Sequence, residues 1–170
     1  GGVNRVIRSQ DFSSSWSVSG TLVSTNNLAP DGSNTATLWQ LGGQYHAITQ
    51  GENNGLIPST SIVAPTAEYT YSIYVKKVNN SQIRITTSSV NPLYVFDFDN
   101  PQNDIPNKGS FVALPNGWFR ISIVITGSQA VNGFRIQGHH SSASGTQYLI
   151  WGAQWNKGNV ATTYVPTNAN

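Results

Sequence analysis

Two short runs in this chain carry the side chains best suited to hold a ligand. In Tyr69-Thr70-Tyr71-Ser72-Ile73-Tyr74-Val75-Lys76, alternation puts Tyr71, Ile73 and Val75 on one face and Ser72, Tyr74 and Lys76 on the other. The run from Trp118 to Thr126 alternates in the same way. Phe119, Ile121, Ile123 and Ile125 point one way; Trp118, Arg120, Ser122 and Val124 point the other. If the two strands are neighbours, Tyr74, Lys76, Trp118 and Arg120 form one aromatic and cationic patch. Such a patch suits a pyranose, which offers an apolar face for ring stacking and a rim of hydroxyls for hydrogen bonds. Trp39, Tyr45, His46 and Trp155 are further candidates for the same chemistry. The competing reading is packing. Trp and Tyr fill sandwich cores, an Arg beside a Trp is often a stacked structural pair, and an aromatic face also serves as a subunit contact.

Catalytic chemistry finds little support. A glycosidase needs two carboxylates at a set separation. The acids are Asp11, Asp31, Glu52, Glu68, Asp97, Asp99 and Asp104. Only Asp97 and Asp99 are close in sequence, and they read as a charged strand end beside the loop at residues 100–108. There is no Gly-x-Ser-x-Gly elbow, and three His with no Cys suggest no nucleophile and base pair. The chain therefore reads as a binding module and not an enzyme. His139-His140 would face opposite ways on a strand and are taken as a loop entry. The oxygen-rich stretch from Asp97 to Asp104 lacks the glycine and distal glutamate of a calcium loop. A structural Ca²⁺ is compatible with a sandwich of this kind, but the sequence supplies no ligand set for one.

The elements that position these residues are strands. Besides the two clear runs, residues 36–41, 45–50, 82–88, 93–98, 133–138 and 148–154 read as strands, with 3–8 and 21–25 weaker. Ala29-Pro30-Asp31-Gly32, Asn79-Asn80, Pro115-Asn116-Gly117 and Asn132-Gly133 supply turns. In the closing run, strict alternation puts Leu149, Trp151 and Ala153 on one face and Tyr148, Ile150 and Gln154 on the other. Both faces are largely apolar, as for a strand covered on both sides. No segment keeps a capped 3.6-residue period. The expected fold is an all-β antiparallel sandwich with little or no helix, one domain over residues 1–170 with loose ends at 1–2 and 168–170.

Composition narrows the partner. Charged residues are 9% of 170, against roughly 25% in typical soluble proteins, and Asn, Ser, Thr, Gln and Gly supply the polarity. A surface of amides and hydroxyls suits neutral polar partners or packing into an assembly. The net charge of +2 comes from scattered cations with no basic stripe, which argues against nucleic acid. No apolar run approaches the ~20 residues of a membrane span, and no signal peptide is visible. The absence of Met, with Gly1-Gly2 at the start, reads as an excised piece of a longer chain or a protease-trimmed product.

Several segments, in order from about residue 10 to 167, resemble the carbohydrate-binding-module-like jelly-roll domain of phage tail fibres and tailspikes. They are Gln10-Asp11-Phe12-Ser13-Ser14-Ser15-Trp16, Ala29-Pro30-Asp31-Gly32, Tyr69 to Lys76, Asn116-Gly117-Trp118-Phe119-Arg120, Trp151-Gly152-Ala153-Gln154, and Ala161 to Thr167. One departure stands out. After the Gln the family usually carries Leu and one or two Glu, where this chain has Trp155-Asn156-Lys157, so no role of those acids transfers. The resemblance implies a jelly roll in a virion or extracellular setting. It also implies a glycan partner, a homotrimeric fibre and host recognition. Two alternatives stay open: a trimerising or capping module with no sugar site, and a binding module attached to a polysaccharide-degrading enzyme.

Overall fold

The computed structural model describes residues 3–51, 64–102, 108–130 and 132–168. Its strands are β1 (Ser17–Val18), β2 (Thr21–Asn27), β3 (Ala36–Gln40), β4 (Ala47–Gln50), β5 (Glu68–Lys77), β6 (Gln82–Thr86), β7 (Leu93–Asp97), β8 (Gly109–Ala113), β9 (Trp118–Thr126), β10 (Phe134–Gly138) and β11 (Gln147–Lys157). They form two antiparallel sheets, β1-β4-β10-β6-β7 and β2-β3-β11-β5-β9-β8. The result is the expected β-sandwich of jelly-roll type. The described helix is one turn, α1 (Gly127–Ala130), and a 3₁₀ turn at Pro115–Gly117. No described helix is long and apolar enough to cross a membrane.

Alternation explains the core. Tyr71, Ile73 and Val75 of β5 and Ile121, Ile123 and Ile125 of β9 point between the sheets and are buried. They meet Ile83 and Ile85 of β6, Tyr94 and Phe96 of β7, and Phe134 and Ile136 of β10. Burying a side chain of this size is worth about 1.5–3 kcal/mol relative to leaving it exposed.

Strand β11 departs from simple alternation. Its pairing with β5 shifts register between Trp151 and Gln154, a β-bulge. Tyr148 and Ile150 point into the core before the bulge, and Ala153 and Trp155 after it. The expected grouping of Ala153 with Leu149 and Trp151 is therefore corrected: one extra residue reverses the parity. The strand also runs on to Lys157, beyond the expected end at Gln154.

The chain ends close over the bulge. Asn4 Nδ2 donates to the carbonyls of Ala153 and Val165, while Asn4 Oδ1 accepts from the Trp155 and Val6 amides. Gln154 Nε2 donates to the Thr162 carbonyl, and Gln154 Oε1 accepts from the Val165 amide. These side chains take the place of ladder partners that the bulge removes. Residues 3–8 form this bonded segment and not the weak strand expected of them. Asn168, expected to be loose, accepts from the Arg8 amide at 2.7 Å. Residues 1–2 and 169–170 lie outside the described residues. Strands β1 and β8 had no counterpart in the sequence reading.

Gly152 sits at the bulge with φ +65°, and a Cβ there would lie 2.9 Å from the Tyr74 ring and 3.3 Å from that of Tyr164. Gly32 has a similar φ of +87° but open space around it. Gly32→Ala is expected to cost about 1–2 kcal/mol, the left-handed penalty alone. Gly152→Ala should cost about 2–4 kcal/mol because overpacking adds to strain. Urea denaturation of both variants checks this, and equal losses would show that the ring contact contributes nothing.

Candidate functional site

The outer face of the six-stranded sheet brings the two predicted strands together. Strands β5 and β9 are antiparallel neighbours, with Tyr74 opposite Arg120, Lys76 opposite Trp118, and Ser72 opposite Ser122. On the other side of β5, Trp151 of β11 lies opposite Tyr74. Tyr74 meets Trp151 edge to face with ring centroids 5.1 Å apart. Tyr164, from the C-terminal tail, completes the cluster at 4.8 Å from Trp151 and 5.8 Å from Tyr74.

A groove of about 290 Å³ opens beside this cluster. Its floor is Tyr74, Trp118 and Trp151, and its walls are the turn at Pro30-Asp31 and the 3₁₀ turn at Pro115-Asn116. Asp31 Oδ1 accepts from the amide and hydroxyl of Ser33, and the Gly32 amide donates to the Ala29 carbonyl. Pro115 sets the start of the 3₁₀ turn, and Asn116 takes φ +65°, which Asn tolerates better than most residues. Asp31, Lys76 and Asn116 form a polar rim. Trp151 Nε1 donates to Thr35 Oγ1 at 2.8 Å, which fixes its ring. Trp118 and Trp151 are each only 3% exposed, so they form the base and present little free ring face. An apolar base with a polar rim accommodates a small amphipathic molecule.

Arg120 is engaged by the protein itself. Nη1 donates to the Thr162 carbonyl at 2.7 Å, Nη2 donates to Ser72 Oγ at 3.2 Å, and the guanidinium lies 5.1 Å from the Tyr74 ring centre. Burial lowers its pKa, with the Tyr74 and Tyr164 phenols opposing that shift. Burial raises the Tyr74 phenol, and the nearby Arg120 charge partly offsets it. The Tyr164 phenol is raised by burial too, against hydrogen bonds from Ser9 and Gln10. Arg120 thus clamps the tail across the sheet, separating the groove from a second one of about 260 Å³ that Arg120 lines together with Val112 and Val160.

The other candidates separate. Trp39 and Trp155 are core residues, 0% and 1% exposed, and are corrected as ligand contacts. Trp39 packs on Tyr148 and donates to the Ser19 carbonyl; Trp155 meets Tyr69 and Tyr71 edge to face. Tyr45 and His46 lie between β3 and β4, away from the groove. Tyr45 is exposed, and His46 Nδ1 accepts from the Gly42 amide. His139 and His140 sit in a loop after β10 with their rings 3.7 Å apart. Asp97 Oδ1 accepts from the Asp99 and Asn100 amides, and Asp99 pairs with Lys77 at 2.9 Å, so both belong to a turn. Asp104 and Glu52 lie outside the described residues. Sequence reasoning did not select Trp151, Asp31 or Asn116 for the groove. Their turns and strand were visible, but not their convergence.

The sequence matches no family model and no curated protein. Among solved structures the chain is similar to the CBM22-1 xylan-binding domain of Paenibacillus barcinonensis Xyn10C. The TM-score is 0.48 at 11% identity, over 94% of this chain and 97% of that one. It is also similar to the CBM22-1 and GH10 modules of Clostridium thermocellum xylanase 10B complexed with xylohexaose. There the TM-score is 0.43 at 9% identity, over 88% of this chain and 26% of that one. A third likeness is to the enzymatically active domain of bacteriophage CBA120 tailspike protein 4. Its TM-score is 0.39 at 16% identity, over 91% of this chain and 21% of that one.

Replacing Arg120 with Met keeps much of the stem but removes the clamp. The expected loss is about 2 kcal/mol, the usual worth of hydrogen bonds to a charged group. Limited proteolysis should cut residues 158–168 faster in the variant while thermal unfolding stays a single transition. Unchanged cleavage would show that the tail is held without Arg120.

Proposed function

We propose that this domain is a non-catalytic glycan-binding module of a phage tail fibre or tailspike, recognising a polysaccharide of the host surface. The observation that carries the reading is the groove. Its base is built from the rings of Tyr74, Trp118 and Trp151, and its rim offers Asp31, Lys76 and Asn116. Tyr74 is the part-exposed ring of that base and meets a sugar's apolar face, while the rim groups meet its hydroxyls. Asp31 is the one carboxylate among the described residues lining it, where glycoside hydrolysis needs a pair. The ordered resemblance from residue 10 to 167 supports the fibre setting, and with it a virion location.

A second reading treats the same side of the sandwich as a subunit contact in a trimer. Leu28, Val112 and Val160 are 58%, 58% and 64% exposed around this sheet, which suits a partner that covers them. Sedimentation separates the two. A stable trimer with no glycan hit favours contact; a glycan-binding species with the groove open favours recognition.

The expected result on a glycan array is a neutral oligosaccharide hit whose affinity changes less than twofold between low and high salt. Asn116→Ala and Lys76→Ala should each weaken it about fivefold, the worth of one hydrogen bond near 1 kcal/mol. Calorimetry measures both. A hit indifferent to both substitutions, or no hit at high protein concentration, sinks the reading.

A further inference from the structure

The outer face of the five-stranded sheet carries a different chemistry. Arg135 on β10 lies opposite Thr49 on β4 and Thr86 on β6, and Arg84 on β6 lies opposite Gln137 on β10. The two arginines are therefore diagonal neighbours across one strand pair, a separation that long side chains readily bridge. Arg135 Nε donates to Thr49 Oγ1 at 3.1 Å. The Arg84 guanidinium lies 5.2 Å from the Tyr45 ring centre, and Gln137 Nε2 donates to the Tyr45 carbonyl at 3.1 Å.

This group is incomplete as it stands. The ion pairs among the described residues are Arg8 with Asp11, Lys77 with Asp99, and Lys108 with Glu68, so no described carboxylate pairs with Arg84 or Arg135. Arg84 Nε and Gln137 Oε1 are buried without a hydrogen-bond partner, and Gln137 is 6% exposed. Burial lowers the pKa of both arginines; at Arg84 the Tyr45 phenol opposes that shift and the charge of Arg135 adds to it. Two half-buried like charges with no counter-charge among the described residues are costly. An anion between them relieves that cost, because guanidinium forks match a carboxylate in two hydrogen bonds. The Gln137 oxygen is closed from solvent, which leaves the two guanidiniums as the groups that meet a ligand. Tyr45, 46% exposed, adds ring surface beside both.

We propose that this face is a second saccharide site, built for a sugar that bears a carboxylate. Arg84 and Arg135 hold the carboxylate, and the exposed Tyr45 ring packs against the sugar. The site lies on the opposite sheet from the groove and does not depend on it. Its binding falls with rising salt, where that of the groove does not.

The test is an NMR titration of the 170-residue chain with three probes: D-glucuronate, its neutral amide, and inorganic sulfate. Glucuronate should shift the side-chain N–H signals of Arg84, Arg135 and Gln137, and the amide should bind at least tenfold more weakly. Arg84→Lys, which keeps the charge but loses the fork, and Arg135→Gln should each weaken glucuronate at least fivefold. Lys157→Ala, an exposed cation that lines neither site, should leave it unchanged. Equal affinity for the amide overturns the proposal. So does sulfate binding as tightly as glucuronate with no effect of Tyr45→Ala, which marks a simple anion site. Shifts confined to other residues also overturn it.

Discussion

A single residue without a side chain, Gly152, sets the geometry of the side of the sandwich that carries the groove. The bulge there reverses which face of β11 looks inward. Before it, Trp151 points outward and meets Tyr74; after it, Trp155 points inward and meets Tyr69 and Tyr71. A regular strand would force one of these indoles onto the wrong side, placing a large ring in water or opening a void in the core. The bare Cα also lets the Tyr74 and Tyr164 rings approach, so the tail lies flat on the sheet. Core, groove floor and tail docking thus share one backbone irregularity.

A bulge leaves polar backbone groups without ladder partners, and this chain answers with amide side chains. Asn4, Gln154 and Asn156 bridge strand, tail and N-terminal segment, and all three are buried. An amide carries both a donor and an acceptor without charge, so it satisfies mixed backbone groups at lower desolvation cost than an ion. The richness in Asn and Gln that pointed outward, toward a polar partner, is therefore also structural. Composition alone does not separate amides that hold the fold from amides that face solvent.

The sandwich was legible because alternation is local. Tyr71, Ile73 and Val75 announce their face within eight residues, as do Phe119 to Ile125. Strand β8, Gly109–Ala113, was not legible, because GSFVA neither alternates clearly nor carries a β-branched run. The bulge was hidden as well. Nothing in Trp-Gly-Ala-Gln states that two residues will oppose one, so Trp155 was read as a surface ring when it is core. Half of the groove was legible: Tyr74, Lys76 and Trp118 follow from alternation plus one guess about neighbours. Asp31 and Asn116 come from turns far apart in sequence and meet only through sheet order. Arg84 and Arg135 were missed for the same reason, since each is an ordinary outward residue on its own strand.

With nine cations in 170 residues, where each one sits carries information. Arg8, Lys77 and Lys108 form exposed ion pairs, which contribute little to stability. Arg5 lies over the rings of Tyr69 and Trp155, and Arg120 clamps the tail. Lys76 stands at the groove rim, and Lys157 is exposed at the end of β11. Arg84 lies over the Tyr45 ring and Arg135 donates to Thr49, yet the two share one sheet face as like charges. Each is half-buried, neither has a described carboxylate partner, and they sit near enough to disfavour each other. The repulsion between them offsets part of what the Tyr45 and Thr49 contacts contribute. The two faces of the sandwich therefore differ: the tail-crossed sheet carries a groove with a ring base and the mixed rim of Asp31, Lys76 and Asn116, and the opposite sheet carries two like charges with no described carboxylate paired to them.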